Sequence, residues 1–228
     1  MTRRTVGLIR VLTTDDEDLL NAHGRLIEKY IPGLSVVSVC ISEQPEGIHD
    51  DETERTALPK IVNAGKMLEA QGHAAVIVSC AADPGVEELR EVLKIPVVGA
   101  GSAAAAIAMA QGIPVGVLGI TDDAPAAVRR MLGSHLAGVA RPEGVVTTLD
   151  LLKPGALERA EAAAGHLVRA GARSIILACT GMSTSGISFS LQSRLCIPVV
   201  DPVLAAGLVA LCTFVFRSPN GGDRCDQS

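Results

Sequence analysis

The sequence predicts an α/β fold of two similar lobes, each a parallel sheet flanked by helices, related by a pseudo-two-fold axis with the active site between them. Three observations carry this. Strand-like apolar runs alternate with helical patterns along the chain. Hydrophobic residues make up 48% of the 228, yet aromatics are 2% and Trp is absent. A core of Val, Ile, Leu and Ala suits parallel strands covered on both faces. Finally, a long unit occurs twice. VIVSCAADPG (76–85) is followed, 15 residues after Cys80, by IPVVGAGSAAAAIA, and IILACTGMS (175–183) is followed, 18 residues after Cys179, by IPVVDPVLAAGLVA. Strand, cysteine, turn, helix, IPVV strand and Ala-rich helix recur in one order.

Taken in order, the expected strands are Val6–Val11, Ser35–Ile41, Ala75–Ser79, Pro96–Gly99, Pro114–Ile120, Gly144–Thr148, Ser174–Ala178 and Pro198–Val200. Between them, Asp15–Tyr30 opens with acidic residues that suit the positive start of a helix. Glu54–Gln71 and Gly155–Ala170 each stop at a glycine, Gly72 and Gly171, as helices commonly do. The repeat divides the chain into a first lobe of residues 1–99 plus 201–228 and a second lobe of residues 100–200. The polar, Gly-rich tail from Arg217 onward is expected to fray.

Composition also excludes partners. A net charge of −5 and so few rings argue against a nucleic-acid binder, which needs a basic face and stacking platforms. Ile95–Thr121 carries no charge, but Pro96, Gln111, Pro114 and five glycines break it where a strand–helix–strand unit would turn, so no membrane span is expected. The apolar stretch at the N-terminus is broken by Arg10 and does not read as a signal peptide. The six cysteines lack C-x-x-C spacing and the histidines at 49, 73, 135 and 166 form no ligand pattern, while His23 lies within a helix. No metal site is therefore expected, and the thiols read as reduced ones in the cytoplasm. The expected partners are a small-molecule substrate and further copies of the chain.

In open parallel sheets, ligands bind outside the carboxyl ends of the strands. Two lobes around an approximate two-fold would therefore aim Cys80 and Cys179 into one cleft. A cysteine at a helix start has its thiolate favoured. Two facing thiols suit removal of a proton from one side of a carbon and delivery to the other. The opposing reading, a small buried hydrophobe, holds better for either cysteine alone than for the pair.

SCAADPGVEELREVLKIPVVGAG and LACTGM resemble the aspartate/glutamate racemase superfamily and, within it, the hydantoin racemase group, over about Val6 to Leu211. EQPEGI (43–48) is similar to the Gly-Pro-x-x-Ile loop of hydantoin and allantoin racemases. The resemblance implies cofactor-independent racemisation with Cys80 and Cys179 as the acid–base pair, and Ile48 in the substrate loop. Thr121 corresponds to a Thr or Ser that the superfamily often turns to its ligand; a helix cap is its alternative. Thr180 and the amides of Ala81 and Gly181 are candidate donors to a ligand oxygen. Arg10, at a strand end, would meet an anionic group or a surface carboxylate. Asp83 is expected to cap the helix after it. Glutamate racemases have Cys-Asn-Thr-Ala and Cys-Thr-His where this chain has Cys80-Ala81-Ala82-Asp83 and Cys179-Thr180-Gly181, which disfavours free glutamate. The usual Asn-Pro-Asn-Thr first loop is replaced by Arg10-Val11-Leu12-Thr13-Thr14. A 5-substituted hydantoin or related cyclic ureide is the expected substrate; aspartate racemisation, or isomerisation or decarboxylation of a small acid, are the alternatives.

One motif points elsewhere. Gly99-Ala100-Gly101-Ser102-Ala103-Ala104 matches the G-x-G-x-x-A dinucleotide fingerprint, with Asp122 and Asp123 about twenty residues on. A nicotinamide enzyme would leave both cysteines without a role, and the second repeat has Asp201-Pro202-Val203 in that position. A binding protein without chemistry is the remaining alternative.

Overall fold

The structure is a computed structural model describing residues 3–111 and 114–216. Two four-stranded parallel sheets form its frame. The first contains β1 (Arg4–Arg10), β2 (Leu34–Cys40), β3 (Val76–Ser79) and β4 (Val97–Gly99), in the order β2-β1-β3-β4. The second contains β5 (Val115–Leu118), β6 (Leu136–Ala140), β7 (Ser174–Leu177) and β8 (Val199–Val200), in the order β6-β5-β7-β8. The two orders are the same permutation, so β3 and β7, which lead into the two cysteines, hold equivalent places. The molecule has the two lobes that the repeat predicts.

Around the sheets lie α1 (Glu17–Tyr30), α2 (Asp51–Ala70), α3 (Val86–Val92), α4 (Ala100–Gln111), α5 (Ala126–Leu132), α6 (Ala156–Arg169), α7 (Gly181–Thr184), α8 (Ile187–Arg194) and α9 (Pro202–Val215). Helix α1 starts where the Asp16 carboxylate accepts from the amides of Asp18 and Leu19. Helix α2 begins at Asp51 because Asp50 and Thr53 form a reciprocal capping box there, three residues before the expected start. Val6, Leu8 and Ile77 of the first sheet share one continuous core with Val115, Val117, Ile176 and Val200 of the second and with the alanines of α4 and α9. Small side chains let these two helices pack closely between the sheets. Each sheet keeps a separate core on its other face, around Ile61, Leu68 and Leu89 in one and Ala160, Leu167 and Ile175 in the other.

The expected strand Gly144–Thr148 is not a strand. Gly144 turns with φ +70°, and one oxygen of the Asp150 carboxylate accepts from the amides of Val146 and Thr147, so neither amide is free for a sheet ladder. The chain then enters a 3-10 turn over Thr148–Leu152. The missing strand is β6, an edge strand paired to β5, whose LAGVA sequence is half-buried throughout and lacks the alternation that marks a strand. No helix among the described residues is long and apolar enough to cross a membrane. The expected fraying of residues 217–228 falls outside the described residues.

Candidate active site

Each cysteine leaves the carboxyl end of its strand into a turn closed by the amide three residues on. The Asp83 amide donates to the Cys80 carbonyl at 3.1 Å and the Met182 amide to the Cys179 carbonyl at 3.1 Å. The two thiols are close enough to interact electrostatically and both line a cleft of about 470 Å³ between the lobes. Arg10, Ile48, Ala81, Thr121, Thr180 and Gly181 line it too, so all eight residues singled out from the sequence meet at one place.

Their surroundings differ from expectation in instructive ways. Cys80 does not open a helix: α3 starts six residues later, at Val86. Burial dominates and pushes the Cys80 thiol up to about 12, with the Ala82 amide pulling the other way. The Cys179 thiol is also raised by burial, opposed by the Thr148 hydroxyl at 3.6 Å and by the amides of Gly181 and Met182. Burial therefore outweighs the expected helix-start effect at both thiols. Three donors face the Cys179 sulfur and one faces Cys80, so the second thiolate site is the better solvated. Gly181 makes this possible, since a Cβ there would lie 2.2 Å from Cγ2 of Thr148.

Arg10 is 4% exposed and has no carboxylate partner among the described residues. It donates to the carbonyls of Leu19 and Leu20, and burial lowers its pKa to about 10. The surface ion pair considered for it is absent. Thr121 is exposed on the rim and donates to the Asp123 carbonyl at 2.8 Å; the cap position of α5 belongs to Pro125, so the helix-cap alternative does not hold. Thr180 reaches across the lobes to the Ser79 carbonyl at 3.4 Å.

Asp83 caps a helix, but not the expected one. Its two oxygens accept from the amides of Gly101 and Ser102, each at 2.7 Å, at the start of α4. This accounts for the glycines of the dinucleotide-like motif. A Cβ on Gly99 would sit 2.4 Å from the Asp83 carboxyl carbon, and one on Gly101 would sit 2.0 Å from the Ala81 carbonyl oxygen. The helix start that would cradle a pyrophosphate is filled by the protein's own carboxylate. Asp122 and Asp123, the acidic residues of that motif, form surface ion pairs with Arg141 and Arg129. In the second repeat Asp201 caps α9 directly.

The cleft also draws on the two loops singled out in the sequence, at 10–14 and 43–48, and on residues that the sequence does not single out. Leu12, Ile120, Leu149 and Leu152 give it apolar walls, while Glu46, Asp50, Asp51 and Glu54 make one rim acidic. Thr148 was hidden by the misread strand, and nothing in its residue type announces it. His23, in contrast, lies four residues before Ile27 on the buried face of α1, a position that marks it as an interior histidine. Among the described residues no cluster of three His, Cys, Asp or Glu could hold a metal.

A family model described as Asp/Glu/Hydantoin racemase matches residues 17–209. The chain belongs to this family. As a member it is an isomerase, a racemase. It is 29% identical to a hydantoin racemase of Rhizobium meliloti over 173 residues, 72% of this chain and 70% of that one. It is 30% identical to a hydantoin racemase of Paenarthrobacter aurescens over 142 residues, 60% of this chain and 59% of that one. Its fold is similar to that of an allantoin racemase from Klebsiella pneumoniae, with a TM-score of 0.82 at 22% identity over 93% of this chain and 88% of that one. The cleft of this racemase thus lies in a fold it shares with an allantoin racemase.

Proposed function

We infer that this racemase inverts a carbon next to a carbonyl in a 5-substituted hydantoin or a related cyclic ureide, without a cofactor, using Cys80 and Cys179 as its two acid–base groups. The observation that carries the reading is the pair of cysteines just past the carboxyl ends of equivalent strands of the two lobes, facing one cleft. Cys179, with three donors at its sulfur, is the thiol that gives the thiolate more readily; Cys80, pushed up to about 12, holds its proton more firmly. The Cys179 thiolate removes the ring proton from one face, the adjacent carbonyl takes up the electron pair as an enolate, and the Cys80 thiol returns a proton to the opposite face. Cys80 is then the thiolate and Cys179 the thiol, the form that serves the other enantiomer. Both thiols must be reduced, which fits the cytoplasm.

The cleft wall supports a neutral ring over a free dicarboxylic amino acid. The rim residues Glu46, Asp50, Asp51 and Glu54 oppose an anion at the entrance, and apolar side chains suit a ring substituent. Arg10, the cation among the lining residues, stands beneath the cleft and would face a ring carbonyl. The test is polarimetry of the purified protein against single enantiomers of hydantoins, allantoin, aspartate and glutamate. Loss of rotation with the cyclic ureides is expected. Turnover of aspartate or glutamate alone would replace the substrate assignment, and activity retained in Cys80→Ser or Cys179→Ser would remove the two-thiol mechanism.

A further inference from the structure

Below the cleft floor, His23 joins the two lobes. It is 1% exposed and does not line the cleft. Its Nδ1 lies 2.8 Å from the Ser79 hydroxyl, on the residue that precedes Cys80. Its Nε2 lies 2.8 Å from the Thr184 hydroxyl, at the end of the short helix that follows Cys179. The Thr180 backbone carbonyl also faces the ring; a neutral imidazole has one donor and one acceptor nitrogen, so one of the two hydroxyls donates to the ring and the other accepts from it. Thr180 in turn donates across to the Ser79 carbonyl. Burial and the nearby Arg10 guanidinium keep the imidazole neutral, which a ring with one donor and one acceptor nitrogen requires here.

The geometry points to His23 as a positioning residue that fixes the spacing and facing of the two cysteine turns across the lobe boundary. The inference rests on the two-thiol reading for its catalytic consequence, but not for its structural one. A racemase with two acid–base groups needs them aligned on opposite faces of one carbon, and a misplacement of about 1 Å can cost on the order of a hundredfold. The cysteine turns come from strands nearly a hundred residues apart in sequence, and His23 with Thr180 provides polar links between them.

Thr184→Val removes one link from the second lobe while keeping shape, and Thr184→Ser keeps the hydroxyl; His23→Gln is the third variant. Hydrogen exchange read by mass spectrometry needs no substrate. In Thr184→Val the inference expects faster exchange in residues 79–85 of the first lobe as well as in 179–187, with Thr184→Ser close to wild type. A change confined to 179–187 would overturn it. With single enantiomers of a hydantoin in deuterated water, wild type should invert about once per proton exchanged. Thr184→Val and His23→Gln should lose inversion at least tenfold more than exchange, because one thiolate can still remove and return a proton on its own face. Equal losses in both rates would also overturn it. A wild type that leaves every hydantoin unchanged would sink the substrate reading, and the hydrogen-exchange result would still decide the role of His23.

Discussion

At the scale of single residues, the competition is between burial and hydrogen bonding at two sulfurs. Burial raises both thiols, so the cysteines that alkylate first at neutral pH should be the exposed Cys196 and Cys212, ahead of Cys80 and Cys179. Iodoacetamide labelling followed by peptide mapping reads this order. Labelling of Cys80 should climb about tenfold per pH unit as the solution approaches its value of about 12. Preferential labelling of Cys80 at pH 7 would contradict the assignment of Cys80 as the thiol that holds its proton more firmly. A second outcome belongs to Gly181. Gly181→Ala should drive Thr148 from the Cys179 sulfur, since the new Cβ would meet Thr148 at 2.2 Å. A hydrogen bond to a charged group is worth roughly 1.5–3 kcal/mol, so kcat should fall about 10- to 100-fold. Sequence made both cysteines legible because their apolar strand, Cys and turn occur twice. It could not give their protonation, which depends on donors such as Thr148 that arrive from another segment.

At the scale of elements, the 3-10 turn at Thr148–Leu152 carries the donor to Cys179, and Asp150 holds that turn. Hydrogen bonding to Lys153 first, then to the amides of Thr147 and Val146, keeps the Asp150 carboxyl well below the usual carboxylate range. A depressed folded-state value means that its stabilisation is present above the ordinary carboxylate pKa of about 4 and is lost as pH falls below it. Asp150→Ala should therefore reproduce at pH 7 what acid does to the wild type: a looser turn, seen as faster hydrogen exchange over 146–152, and a lower kcat. Exchange unchanged from wild type would show that another contact holds the turn. The misreading of this stretch as a strand has a local cause. Gly-Val-Val-Thr-Thr at 144–148 has strong strand propensity, but a carboxylate six residues beyond Gly144 takes its amides. The dinucleotide-like glycines have the complementary cause. Their spacing reports a close approach to a helix start, and the approaching group is the Asp83 carboxylate, from the turn after β3, rather than a ligand.

At the scale of the whole molecule, one neutral histidine between lobes makes stability depend on pH. His23 is held well below its ordinary value by burial and by Arg10, the charged neighbour from β1. The unfolded chain takes up this proton below about pH 6.5 and the folded chain resists it, so stability should fall with decreasing pH from about 6.5 downward. The slope from this group is up to about 1.4 kcal/mol per pH unit, and His23→Gln should flatten it between pH 6.5 and 5 in denaturant titrations. An identical slope in the variant would mean that other groups govern the range. The two lobes were legible in the repeat because duplicated sequence folds to duplicated topology. The clip between them was not, since its partners Ser79 and Thr184 are ordinary in type and distant in sequence. The continuous core has a consequence for how this scaffold changes. With α4, α9 and both sheets locked in one aliphatic mass, the strands that lead into the thiols belong to the frame, while the loop at 45–49 and the side chains of Leu149 and Leu152 form the adjustable mouth. New specificities are reachable by exchanging those residues, as one changes the jaws of a tool and keeps its pivot.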